Sequence, residues 1–360
     1  MKTKLVYVLT CAPEATYIEQ ALMAVWSARY WNPDAHIVLM VDDKTDELMT
    51  GKRREILNYI SEKICVPFED ESLSPMYRSR WIKTTVRQLI KGDFLFVDCD
   101  TICCRSLVKV DDFTCEVGAV GDNNTTFQED IYKEGTIENV LRVGCDISNE
   151  EYYYSSGVVY SKDTENAHQL YELWHKFWIE GTKVGVNIDQ PALAKANIER
   201  NHIIKPIDDV FNCVLYTQIP QSYSAALLHI PNLKPASFLF KKHMLRIVRE
   251  QGITSWVSQM IVYVHGTYLP FDYSIRYSSF RQRLHWICLN AKVLYLYGQH
   301  VSSTFEDLAL RVSIEPLVVF LIKLRCYRTS MVLWMMWKRL KLSRKHLIHP
   351  NVCSNKCYAK

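Results

Sequence analysis

Short apolar runs alternate with amphipathic segments along the first part of the chain. Residues 4–10 and 36–41 are almost continuously apolar, as is typical of strands buried on both faces of a parallel sheet. Apolar residues at helical spacing follow over 17–30, and the pattern after the second run predicts a helix over 46–63. Because strand and helix alternate at the spacing of right-handed crossovers, the pattern predicts an α/β fold with a mostly parallel sheet flanked by helices.

The next apolar run ends in charge. Gly92 precedes the four apolar residues 94–97, which lead into Asp98 and Asp100. Since side chains alternate along an extended backbone, the two carboxylates point to one side and Cys99 to the other. Open α/β sheets bind ligands at the carboxyl ends of their strands. Mg²⁺ and Mn²⁺ prefer carboxylate oxygens, so this D-x-D predicts a metal site for a substrate diphosphate; an acidic surface turn is the alternative.

A basic helix face precedes this strand. Residues 79–90 predict a helix with Arg80, Lys83 and Arg87 on one face. One interpretation is a solvated surface, and the other is that Arg80 or Lys83 holds nucleotide phosphate or the two carboxylates. No glycine-rich phosphate loop follows either early strand, which argues against a dinucleotide or P-loop site.

Two later segments carry candidate ligand-binding residues. The predicted strand 154–160 contains Ser156 and Gly157, which suit a close approach of backbone to a ligand, although strand packing explains them as well. Asp189 and Gln190 stand at the predicted start of a helix. Asp189 there either caps the helix or hydrogen-bonds a ligand.

Three segments together resemble a known family. Residues 79–101 read S-R-W-I-K-T-x-x-R-Q-L-I-x-G-D-F-L-F-V-D-C-D-T, which resembles the donor-binding core of GT-A-fold glycosyltransferases, and family-8-like bacterial sugar transferases most of all. Residues 154–160 resemble the family's N-[AS]-G-V strand with Ser155 in place of Asn, and 187–193 resemble its D-Q helix start. The resemblance covers roughly residues 3–240. It implies the GT-A fold, a Rossmann-like mixed and mostly parallel sheet, and a nucleotide-sugar donor.

The resemblance also implies a complete metal site. Residues 225–235 resemble the family's H-x-x-G-x-x-K-P element, at a spacing one residue shorter and with Asn232 in place of glycine. In that element the histidine completes the metal site and the lysine meets the β-phosphate, which gives these roles to His229 and Lys234. A histidine that ends a core strand is the alternative, and His265 is the rival ligand at the end of a similar apolar run.

These expectations form one hypothesis. The chain is a metal-dependent glycosyltransferase that moves a sugar from a nucleotide-diphosphate donor to a saccharide or lipid-linked acceptor in cell-surface polysaccharide synthesis. The resemblance implies that the donor is a UDP-sugar and that the anomeric configuration is retained. Asp98, Asp100 and His229 would hold Mn²⁺ or Mg²⁺. The expected catalytic pair is Asp189 and Gln190, which the resemblance places at the hydroxyls of the donor or acceptor sugar. Asp189 would be the general base if the reaction inverts. The expected donor-binding residues are Thr10, Arg80, Lys83, Asp98, Ser156, Gly157 and Lys234.

Two other classes remain as alternatives. A sugar-phosphate nucleotidyltransferase would carry a glycine-rich, basic loop after the first strand, and residues 10–13 read Thr-Cys-Ala-Pro instead. A non-catalytic sugar-binding or lipid-binding scaffold has no reason to keep four polar site residues, which are Asp98, Asp100, Asp189 and His229.

Charge divides the chain in two. Residues 276–360 carry 15 Lys and Arg against three acidic residues, a net charge of +12, whereas residues 1–275 carry a net −8. The apolar blocks 317–324 and 331–337 are interrupted by basic residues, so no uninterrupted apolar span of about 20 residues exists there. We predict a transferase domain over 1–275 and a helical tail that lies on an anionic membrane surface. Packing of the tail on the body or on a second subunit is the alternative.

The remaining composition excludes several classes. The 12 cysteines form no paired C-x-x-C arrays, so neither a zinc ribbon nor a disulfide framework is indicated. The aromatic residues of the tail lie in apolar blocks and are not interleaved with charge, which argues against nucleic acid as a partner. No signal-peptide pattern occurs at the first residues, so the expected location is the cytoplasm, on the inner face of the membrane.

Overall fold

The computed structural model of the chain describes residues 1–215, 222, 224–231 and 237–266. Lys234 and the predicted tail, 276–360, lie outside these residues, so the domain division at 275 stays a prediction. Within the described part of the chain, no helix combines the length and the apolar composition that a bilayer span requires.

The described segments contain ten strands and eight α-helices. The strands are β1 (Lys4–Leu9), β2 (Ile37–Asp42), β3 (Glu62–Val66), β4 (Phe94–Val97), β5 (Thr101–Cys103), β6 (Val117–Gly121), β7 (Tyr154–Ser161), β8 (Ile204–Pro206), β9 (Cys213–Val214) and β10 (Leu227–His229). The helices are α1 (Tyr17–Trp31), α2 (Asp43–Leu48), α3 (Pro75–Leu89), α4 (Lys133–Arg142), α5 (Glu165–Lys183), α6 (Gln190–Glu199), α7 (Lys242–Gln251) and α8 (Ser255–Val262).

Seven strands form the main sheet, in the order β3-β2-β1-β4-β7-β6-β8. β3, β2, β1 and β4 are parallel, β7 runs antiparallel to both of its neighbours, and β8 is parallel to β6. This arrangement confirms the predicted mixed, mostly parallel α/β sheet flanked by helices. The strands β5, β10 and β9 form a second, smaller sheet in that order.

Helices α3, α5 and α6 cover one face of the main sheet. Val6 and Phe96 from the strands pack there in one core with Trp174 and Trp178 of α5, all of them buried. Alternate residues such as Tyr7 point to the opposite face, where α1 contacts β1 and β5. Burial of each large apolar side chain contributes about 2–3 kcal/mol, so this core holds β4 firmly in the middle of the sheet.

The predicted helix over 46–63 is wrong. Helix α2 ends at Leu48, a 3₁₀ segment covers Gly51–Asn58, and Lys63 lies in strand β3. Gly51 has a φ of +54°, in the left-handed region, where regular helix cannot continue. β3 lies at the end of the sheet order and alternates exposed with half-buried residues, so it lacks the apolar run that marks an interior strand.

Candidate active site

The two carboxylates lie on a turn between the sheets. Asp98 and Asp100 connect β4 of the main sheet to β5 of the small one. The Asp98 N–H donates to the Gly157 carbonyl at 2.8 Å, and the Ile230 N–H donates to the Asp100 carbonyl at 2.9 Å. The Thr101 hydroxyl closes the turn by donating to the Asp98 carbonyl at 2.9 Å. Backbone from both β7 and the β10 end therefore fixes this turn.

Strand β10 brings His229 to the same turn. β10 pairs antiparallel with β5, so that His229 lies opposite Thr101. Its Nε2 is 3.2 Å from Asp100 Oδ1. Asp98, Asp100 and His229 each offer a ligand atom, and these atoms all lie within 4.8 Å of one another. Among the described residues, the structure thus brings the three predicted metal ligands together.

Gly157 leaves the space that this group needs. A Cβ at position 157 would lie 2.6 Å from His229 Cε1 and 3.1 Å from Asp98 Oδ2. Two carboxylates and one imidazole form a donor set that suits Mn²⁺, and the oxygen donors also suit Mg²⁺. The residues present therefore fit a divalent cation.

The three groups shift one another's pKa. Burial alone would lower the pKa of His229, but the Asp100 carboxylate raises it overall. Burial would raise the pKa of Asp100, but the facing His229 lowers it. Burial raises the pKa of Asp98, against the opposing effect of Lys83. The imidazole and the Asp100 carboxylate thus shift each other's pKa in the directions that favour a proton on the ring and an ionised carboxylate.

Lys83 is a buried cation behind the carboxylates. Its side chain is 2% exposed, and Nζ lies 3.4 Å from Asp98 Oδ1 and 3.4 Å from Asp189 Oδ2. Nζ also donates to Ser156 Oγ at 3.2 Å and lies over the Phe96 ring, 4.9 Å from its centroid. Lys83 therefore joins the metal group to the predicted sugar-binding residues.

Asp189 is held by two cations. It occupies the N-cap position of α6, but its carboxylate makes no capping hydrogen bond. Instead Oδ1 lies 2.7 Å from Arg80 Nε. Burial would raise the pKa of Asp189, but Lys83 and Arg80 lower it overall, so the carboxylate stays ionised. The solvated-face interpretation of α3 is wrong, because Arg80 and Lys83 point into the site and the Arg87 side chain is fully buried.

Asp122 is a site residue that the sequence prediction omitted. It follows β6 directly and is half-buried. Burial raises its pKa from the usual 3.8 to about 6; Asp130 adds to this rise, while the neighbouring Gln190 amide and the charge of His229 oppose it. The signal that marked Asp98, an acidic residue directly after a buried strand, also marks Asp122.

The raised pKa of Asp122 predicts a pH-dependent stability. The folded state binds this proton more tightly than the unfolded chain, so the stabilisation is present at low pH and lost as the pH rises through about 6. Relative to Asp122→Asn, the wild-type free energy of unfolding should fall by about 1 kcal/mol between about pH 5 and pH 8 in urea titrations. Asp34→Asn, in an exposed turn, should keep the wild-type pH dependence. Parallel curves for wild type and Asp122→Asn would contradict the raised pKa.

The other predicted residues lie in different surroundings. Thr10 is buried, and its hydroxyl donates to the Pro75 carbonyl at 2.6 Å, which ties the end of β1 to the start of α3. His265 lies in a 3₁₀ turn after α8 and outside the metal group, so its predicted strand end is wrong. Lys234 lies outside the described residues.

No protein-family model and no curated protein matches the chain. Among solved structures, the galactosyltransferase LgtC, in complex with donor and acceptor sugar analogues, is 16% identical over 69% of this chain and 94% of its own, with a TM-score of 0.46. Mouse xyloside xylosyltransferase 1 in its apo form is 15% identical over 64% of this chain and 97% of its own, with a TM-score of 0.43. The bifunctional glycosyltransferase WbbM is 13% identical over 72% of this chain and 51% of its own, with a TM-score of 0.46. All three are sugar transferases, the class that the sequence resembles.

Proposed function

We propose that this chain is a metal-dependent glycosyltransferase that moves a sugar from a nucleotide-diphosphate donor to a hydroxyl group of its acceptor. One observation carries the proposal: the group of Asp98, Asp100 and His229 lies beside an ionised Asp189, and the buried Lys83 contacts both Asp98 and Asp189. A site for a cation that binds diphosphate thereby adjoins a carboxylate that can accept hydrogen bonds from sugar hydroxyls.

The donor would bind across this junction. A divalent cation at the metal group would bind the diphosphate and offset the negative charge that develops as it leaves. Lys83 lies within 3.4 Å of Asp98 and limits the repulsion between this carboxylate and an incoming phosphate. The resemblance also implies that Lys234 contacts the β-phosphate and that the donor is a UDP-sugar, and we include both in the proposal.

Asp189 and Gln190 would orient the donor sugar. Arg80 and Lys83 hold the Asp189 carboxylate ionised and in one position, so it can accept hydrogen bonds from sugar hydroxyls without rearranging. Gln190 lies beside it, against Asp122. Fixed groups of this kind place the anomeric carbon against the acceptor hydroxyl.

Asp122 is suited to the acceptor side. With a pKa of about 6 it is mostly ionised at neutral pH, and its basicity exceeds that of Asp189, whose pKa is lowered. If the reaction inverts, we assign the general base to Asp122 in preference to Asp189. Under retention, which the resemblance implies, the acceptor proton leaves with the diphosphate, and Asp122 would only hold the acceptor hydroxyl.

The basic composition of residues 276–360 supports a finer proposal about the acceptor. A tail with a net charge of +12 would be attracted to anionic lipid, where lipid-linked saccharides are extended. We therefore propose a saccharide or lipid-linked acceptor, in cell-surface polysaccharide synthesis at the inner face of the membrane.

A panel of nucleotide sugars tests the proposed activity. Full-length protein is incubated with UDP-sugars, GDP-sugars and a CMP-sugar in the presence of Mn²⁺, and release of free nucleotide is measured. We expect slow cleavage of one diphosphate donor, loss of this activity in EDTA and its recovery with excess Mn²⁺. The CMP-sugar, which has only one phosphate, should stay intact. No cleavage, together with no thermal protection by UDP and Mn²⁺, would contradict the donor site and favour the scaffold alternative.

A further inference from the structure

A buried asparagine contacts the His229 ring on the side away from Asp100. His229 Nδ1 lies 3.0 Å from Asn212 Oδ1, and Asn212 is fully buried. The Asn212 amide group donates from Nδ2 to Ser155 Oγ at 3.0 Å. Its backbone carbonyl accepts a hydrogen bond from Asn124 Nδ2 at 2.8 Å. The Asn212 amide is therefore fixed between β7 and the imidazole.

We propose that Asn212 is a positioning residue that sets the tautomer and the orientation of His229 for metal binding. The proposal rests on the metal site of the proposed function. A neutral imidazole carries one proton, and a proton on Nδ1 can be donated to Asn212 Oδ1. Nε2 then presents its lone pair toward Asp98 and Asp100, which is the arrangement that a metal requires.

The opposite amide orientation would have the opposite effect. It would turn the Asn212 NH₂ group toward His229 Nδ1, and the imidazole proton would have to move to Nε2. A proton on Nε2 occupies the position of the metal bond. In the structure the Asn212 NH₂ group donates to Ser155 Oγ, and the Asn212 carbonyl oxygen therefore faces the ring.

This arrangement gives a role to Ser155, the position at which the sequence departs from the family pattern. Its hydroxyl oxygen also accepts the backbone N–H of Gly157 at 3.3 Å, next to the gap that His229 fills. Asn124 in turn accepts the Val214 N–H at 2.7 Å, so its own amide orientation is settled and its NH₂ group faces the Asn212 carbonyl. The ring of His229 is thus oriented by Asn212, which is itself held by Ser155 of β7 and by Asn124 after β6.

Mn²⁺ binding to full-length protein variants tests the proposal without any transfer reaction. Asn212→Leu keeps the volume but removes the hydrogen bond, and we expect it to weaken Mn²⁺ affinity about 10–100-fold by calorimetry. Asn212→Asp, which still accepts the Nδ1 proton, should stay within a few-fold of wild type. Asn197→Leu is the matched control: Asn197 is also buried, but its Oδ1 accepts from the Ile204 N–H at 2.9 Å, in β8 of the main sheet. It should lower stability and leave Mn²⁺ affinity unchanged.

A spectroscopic readout separates positioning from a merely structural role. In protein with ¹⁵N-labelled histidine and Cd²⁺ bound, a diamagnetic ion of a size similar to Mn²⁺, His229 should show a metal-bound Nε2 and a protonated Nδ1, and Asn212→Leu should lower the fraction of His229 that binds the ion. Equal Mn²⁺ affinity in wild type and Asn212→Leu, or a wild-type His229 that binds Cd²⁺ through Nδ1, would overturn this proposal alone. A wild-type protein that binds no Mn²⁺ would overturn the proposed metal site as well.

Discussion

Replacing Asp100 with asparagine is expected to slow donor cleavage about 10³-fold or more and to weaken Mn²⁺ binding. Asparagine keeps the size of the side chain but removes its charge. A bound metal contributes several kcal/mol of charge stabilisation, and each 1.36 kcal/mol is a factor of ten in rate. The substitution also removes the group that raises the pKa of His229, so both ligands change together. Initial rates of nucleoside diphosphate release across a Mn²⁺ titration measure the effect.

The control for Asp100→Asn is another aspartate-to-asparagine substitution, at a position away from the site. Asp34→Asn, in an exposed turn, should cleave the donor at the wild-type rate and lose this activity in EDTA. Any residual rate of Asp100→Asn should need a higher Mn²⁺ concentration to saturate than the wild-type rate. A variant that keeps both the wild-type rate and the wild-type Mn²⁺ dependence would remove Asp100 from the metal site.

Local pattern was enough to predict one half of the metal site. An apolar run that ends in D-x-D predicts a buried strand followed by two carboxylates. The predicted extended geometry of Asp98 and Asp100 is wrong, because both lie on the turn between β4 and β5, and this turn brings them to one site. The interior strands of the main sheet, and with them the α/β fold class, were predicted in the same way, because continuous apolar runs mark interior strands. An edge strand has no such run, which is why β3 was not predicted and its first two residues fell within the predicted helix 46–63.

The other half depends on contacts between distant segments. His229 reaches the site because β10 pairs with β5. The sequence of these two short strands contains no pattern that predicts this pairing. The choice for Asp189 between a helix cap and a binding group is decided by Arg80 and Lys83, which lie on another helix. Asn212 has no local motif, because its role comes entirely from the groups packed around it. Only the resemblance, and not the residue pattern, indicated His229 as a ligand.

Replacing Lys83 with methionine is expected to lower the free energy of unfolding of the metal-free protein by about 3–5 kcal/mol. Methionine keeps the apolar stem against Phe96 but removes the charge that faces Asp98 and Asp189. The buried Asp189 and the half-buried Asp98 would then lose a shared counter-ion. Removing one partner of such a pair costs more free energy than forming the pair contributes. Urea unfolding followed by circular dichroism measures the difference.

Two comparisons show whether charge is the cause of the Lys83→Met effect. Lys91→Met, at an exposed position eight residues further on, should change the free energy of unfolding by no more than about 0.5 kcal/mol. Mn²⁺ should restore part of the stability of Lys83→Met, because a cation at the metal group offsets the charge of Asp98, and it should restore less when Asp100→Asn is also present. If Lys83→Met unfolds at the wild-type urea concentration, Lys83 is not the counter-ion that holds Asp98 and Asp189 together.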